Sequence, residues 1–77
     1  MPYRLVVTRP NGSQFQSTTE PLPSREAVGM SALRVLAKSG VAFGQAGLQL
    51  GRDIRDADLG ENVIHAGSRF GFRTEEF

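Results

Sequence analysis

Tyr3, Leu5 and Val7 alternate with Arg4, Val6 and Thr8, the period of a strand that buries one face. Arg9-Pro10-Asn11-Gly12-Ser13 follows. Pro10 presets the first corner of a type I turn, and Gly12 can take the left-handed position that closes a three-residue hairpin loop. Register supports that loop. It sets Arg9 against Ser13, Val7 against Phe15 and Leu5 against Ser17, so the large apolar groups share one side. A two-residue Asn-Gly loop would put Phe15 opposite Thr8, on the wrong side.

The second strand is expected over 14–19, ending at Glu20-Pro21-Leu22-Pro23, where two prolines block both strand and helix. Ser24 is then an N-cap and Glu26 an anion in the first turn. The helix should run to about Lys38 and stop at Gly40. Val28, Ala32, Val35 and Leu36 form its apolar arc, which Met30, Leu33 and Ala37 extend. Ser31, Arg34 and Lys38 form a narrow polar stripe. Gly29, inside the helix, suits a close approach to a strand.

Between Val41 and Asp58 two patterns compete. Phe43, Ala46, Leu50, Ile54 and Ala57 recur at helical spacing, but Gly44, Gly47 and Gly51 would together cost about 3 kcal/mol in a helix interior. The preferred expectation is a helical turn near Phe43, a short strand at Leu48-Gln49-Leu50, a turn at Gly51-Arg52 and a brief strand around Ile54. In the last third, Leu59 precedes a polar turn and Ile64, and Gly67-Ser68 precedes a final strand. There Phe70 and Phe72 point one way, while Arg69, Gly71 and Arg73 point the other. The two phenylalanines need a sheet beside them, and the best place is next to the first strand, parallel to it, at the sheet centre.

The expected fold class is therefore α+β, a single domain over 1–77 in the order ββαββ, with one helix packed on a mixed sheet. The whole chain resembles a ubiquitin-like β-grasp roll. The residues that carry this likeness are the turn glycine Gly12, Pro21 before a capped helix, Gly40-Val41 after it, and Leu48-Gln49-Leu50-Gly51 as a third strand with its turn. Leu59 and Ile64 stand at the family's spacing before the last strand. Ile64-His65-Ala66-Gly67-Ser68-Arg69-Phe70-Gly71-Phe72 resembles the small bacterial ubiquitin-like proteins of the EsaB/YukD type, which are associated with type VII secretion and carry Ile, Gly-Asp-Arg and two alternating apolar residues there. Conjugated relatives and sulfur carriers end in Gly-Gly. This sequence closes with Arg73-Thr74-Glu75-Glu76-Phe77, so the resemblance implies a non-conjugating member.

Composition narrows the function. With no cysteine there is no disulfide framework, thiolate zinc site or cysteine nucleophile. No stretch approaches a membrane span, and the expected location is the cytoplasm. The formal net charge is +1, which argues against a nucleic-acid or membrane binder. All cations but Lys38 are arginines. His65 is the only histidine, and nothing fixes it with Ser68 and Asp58 as a triad, so no enzymatic activity is expected. Arg52 and Arg55 intersperse Asp53, Asp56 and Asp58, which lack a calcium-loop spacing; no metal and no cofactor are expected.

The expected working surface is the solvent face of the sheet. It comprises Arg4, Val6, Thr8, Gln49, Gly71 and Arg73, a protein-binding patch suited to an acidic or polar partner. Ubiquitin meets its receptors through an aliphatic patch there. Gln49 and Arg73 stand at the matching positions, so ordinary ubiquitin receptors should not bind. The function that follows is a non-catalytic adaptor or regulatory protein, in a secretion-associated setting, with a protein partner or a second copy. Two alternatives remain: a small nucleic-acid binder using Arg4 and Arg73, and an auxiliary subunit of a multicomponent enzyme.

Overall fold

A computed structural model describes residues 2–77. Its elements are β1 (Tyr3–Thr8), β2 (Gln14–Gln16), α1 (Arg25–Lys38), α2 (Gly44–Asp56), β3 (Asn62–His65) and β4 (Phe70–Glu76). The four strands form one sheet in the order β2-β1-β4-β3, and every neighbouring pair is antiparallel.

The first hairpin closes as its turn residues dictate. Gly12 N–H donates to Arg9 O at 2.9 Å, Arg9 N–H donates to Ser13 O at 2.8 Å, and Gly12 sits at φ 90°. Val7 faces Phe15. The second strand ends early, at Gln16. The chain loops out through Pro21 and returns to form a bridge between Leu22 and Tyr3.

Helix α1 begins where Ser24 Oγ accepts the Ala27 N–H at 3.1 Å. It ends in a Schellman motif, with Val41 N–H on Leu36 O at 2.9 Å, Gly40 N–H on Ala37 O at 3.1 Å and Gly40 at φ 75°. Val28, Ala32, Val35 and Leu36 are buried with Leu5, Val7, Leu50, Ile54 and Phe72. Two members of the expected helix faces exchange places. Met30 is exposed, whereas Ser31 is buried and shares a hydrogen bond with Ser17 Oγ at 2.8 Å. Ser31 faces the end of β2, and a partnered hydroxyl is tolerated there.

The strands expected at Leu48-Gln49-Leu50 and around Ile54 are not present; that segment is helix α2. Gly44 stands at its first position, so only two glycines are interior, costing about 2 kcal/mol. Burial of Leu50 and Ile54 contributes roughly 1.5–3 kcal/mol each, and the helix wins. Gly47 in α2 and Gly29 in α1 make room for close contacts. The Phe43 side chain lies over Gly47, and the Gly51 carbonyl stands 2.6 Å from where a Cβ on Gly29 would be. Gly29 thus permits close approach of a helix, not of a strand.

The order is therefore ββααββ, with two helices on a wholly antiparallel sheet. The last strand does lie beside β1 at the centre, but antiparallel to it. Arg25, at the start of α1, donates to Arg55 O at 3.3 Å and to Ala57 O at the end of α2, so the helices run antiparallel. The chain consequently leaves α2 at the end where α1 began. β3 then runs with β1, and β4, returning by a hairpin, runs against it.

Candidate functional site

Leu5, Val7, Phe72 and Thr74 are buried beneath the helices. By strand alternation the opposite, helix-free face carries Arg4, Val6 and Thr8 from β1 and Gly71, Arg73 and Glu75 from β4. Cross-strand pairing sets Arg4 against Glu75, Val6 against Arg73 and Thr8 against Gly71. Gln14 and Gln16 flank Thr8 and Val6 on one side. Asn62 and Ile64 flank Arg73 and Gly71 on the other. Five of the six expected face residues thus share one surface.

Gln49 does not belong to it. It lies on α2 and donates to Asp53 Oδ1 at 3.0 Å, because the segment read as a strand is a helix on the covered side of the sheet. Gly71 is on the face but buried. The Asn62 amide lies 3.0 Å and the Ile64 Cδ1 3.4 Å from where its Cβ would be, so those two side chains cover the gap that glycine leaves. Ile64 remains 56% exposed, the main aliphatic contribution at this edge.

Glu75 changes the electrostatics. Its carboxylate accepts from Arg73 Nε at 2.7 Å and stands 3.9 Å from Arg4 Nε. Arg4 also donates to Glu76 O at 3.3 Å and lies 5.4 Å from the Phe77 ring centroid. Two guanidiniums thus share one carboxylate, Arg73 from along β4 and Arg4 from across on β1. Glu75 was legible in the sequence as the next step of the alternation beyond Arg73, with β-branched Thr74 on the buried side. Ile64 was legible in the same way, opposite Val63. Gln14 and Gln16 follow from the hairpin register.

His65 and Ser68 do come together, as a loop closure. His65 Nδ1 and Ser68 Oγ are 2.7 Å apart, Ser68 N–H donates to the same Nδ1 at 3.3 Å, and Phe70 N–H donates to Ser68 Oγ at 3.3 Å. These bonds close the turn, in which Arg69 takes φ 62° and its N–H meets His65 O at 2.7 Å. Among the described residues no group of three or more His, Cys, Asp or Glu side chains is placed to hold a metal, and no helix is long and apolar enough to cross a membrane. Asp56 instead takes two hydrogen bonds from Arg55, at 2.9 and 3.2 Å. These bonds, with the guanidinium charge, hold its carboxyl below its usual range and raise the Arg55 pKa.

Comparison of the chain with protein-family models, with curated proteins and with solved structures finds no match.

Proposed function

We propose that this chain is a non-catalytic adaptor that binds a protein partner through the helix-free face of its sheet. The observation that carries this reading is the composition of that face. Ile64 lies exposed beside an Arg4–Glu75–Arg73 cluster in which one carboxylate sits between two guanidiniums, and the amides of Gln14, Gln16 and Asn62 border it. An aliphatic contact ringed by hydrogen-bonding groups is the anatomy of a protein interface. The adaptor role is also what the ubiquitin-like resemblance implies, in a secretion-associated setting, although the antiparallel central pair and second helix depart from that roll. A phosphate backbone would meet the Glu75 carboxylate between the two arginines, so the face favours protein over nucleic acid.

The test places a photo-crosslinking residue at Ile64 and, separately, at exposed Leu48 on α2, in nuclease-treated lysate of the source organism. One protein adduct from position 64, absent from position 48 and lost with Arg73→Glu, is the expected result. Equal labelling from both positions, or adducts that appear only without nuclease and contain nucleic acid, would overturn the reading.

A further inference from the structure

A second surface lies at the other side of β2, on the covered half of the molecule. Between this edge strand and α1 runs a groove of about 320 Å³. Phe15, Ser17 and Thr18 form one wall, and Arg34, Val35 and Lys38 belong to the other. Phe15 and Val35 give it an apolar floor. Ser31, bonded to Ser17, links the two walls.

Three features converge on this groove. The first is a free backbone edge. Arg9 N–H reaches Ser13 O and Ser17 N–H reaches Leu5 O, with Val7 and Phe15 paired between them. Ser13, Phe15 and Ser17 therefore spend their main-chain groups on β1, and Gln14 and Gln16 direct theirs outward. The second is unpaired charge. The ion pairs among the described residues join Arg4 and Arg73 to Glu75 and Arg55 to Asp56; Arg34 and Lys38 have no carboxylate partner. The third is spacing. Arg34 and Lys38 stand one helical turn apart, about 5–6 Å, close to the roughly 6.6 Å between same-side residues of an extended strand.

We infer that the β2–α1 groove binds an extended acidic segment of another protein, added as a strand along β2. Gln14 and Gln16 supply the main-chain hydrogen bonds. An aliphatic side chain of the segment settles against Val35 and the part of Phe15 that faces α1, the Arg9 guanidinium lying 4.2 Å over the Phe15 ring centroid. Two carboxylates at alternate positions reach Arg34 and Lys38. Backbone pairing gives the affinity and alternate side chains give the specificity. The site meets the border of the helix-free face at Gln14 and Gln16 but uses their main chain, not their side-chain amides. Its charged wall, Arg34 and Lys38, lies on α1, so Arg34→Gln with Lys38→Gln tests it without touching Ile64 or Arg73.

The probe is a short capped peptide with valine and two glutamates at alternate positions and threonines between them. The control replaces both glutamates by lysine. Amide NMR titration of the full chain should show saturable shifts at Gln14, Gln16, Arg34 and Lys38, with slowed hydrogen exchange at Gln14 and Gln16. Arg34→Gln with Lys38→Gln should weaken binding at least tenfold. Gln16→Pro removes an outward N–H while sparing the β1 ladder, and should abolish binding with the other amide shifts intact. Arg73→Glu should leave binding unchanged. Equal affinity for the lysine peptide, shifts centred on Val6 and Arg73, or no saturable shift would overturn the inference. So would β2-edge shifts that depend on protein concentration without peptide, which would assign the edge to a second copy.

Discussion

Thr74 shows how one atom sets a local cost. The strand alternation that puts Phe70 and Phe72 toward the helices also buries Thr74, at 1% exposure, and among the described residues its Oγ1 has no hydrogen-bond partner. A buried hydroxyl without a partner costs roughly 1–3 kcal/mol of desolvation. Valine has nearly the same shape without that cost, so Thr74→Val should raise stability by about 1 kcal/mol. Urea unfolding checks this: the midpoint should rise at unchanged slope, and a fall would reveal a partner for the hydroxyl. At the surface, Asp56 offers a pH-dependent counterpart. Arg55 lowers its folded pKa by hydrogen bonding and charge, so the stability it adds is present above the unfolded carboxylate pKa. That contribution disappears as pH falls through the lowered folded value. In an NMR titration, Arg55→Ala should return the Asp56 carboxyl toward its ordinary range.

At the scale of elements, Gly29 and Gly51 face each other where α1 and α2 cross, and the two glycines are not equivalent. A Cβ on Gly29 meets the Gly51 carbonyl oxygen at 2.6 Å, whereas a Cβ on Gly51 meets Leu33 Cδ1 at 3.5 Å and nothing nearer. Alanine at either position adds about 1 kcal/mol of helix propensity. At Gly29 the helices must also separate, and such overpacking costs roughly 1–3 kcal/mol. Gly29→Ala should therefore lower the melting temperature, and Gly51→Ala should hold or raise it. Equal effects of the two substitutions in thermal melts would show that propensity, not crossing distance, governs this contact. The same contact explains why Val41–Asp58 misleads when read alone. Gly51 looks like a break in a helix until α1 is placed against it, and Gly47 until the Phe43 side chain is laid over it.

For the whole molecule, the two helices cover one sheet face and leave the other open. The two proposed binding surfaces meet only at β2, where Gln14 and Gln16 flank the open face and form the sheet edge. Cross-linking through Ile64 reports on the open face, and peptide titration at Gln14 and Gln16 reports on the β2 edge. The sequence by itself determined what neighbouring residues can settle among themselves. Pro10 and Gly12 close the first hairpin, Ser24 starts α1, Gly40 ends it, and alternation assigns Arg4, Val6, Thr8 and Arg73 to one face. Tertiary structure decided the rest: α2 in place of strands, the antiparallel central pair, Ser31 inside and Gln49 removed from the sheet. Those outcomes depend on Gly29 meeting Gly51 and on Leu50 and Ile54 reaching the common core. Contacts between segments so far apart in sequence outweigh local propensity, and no local pattern records them.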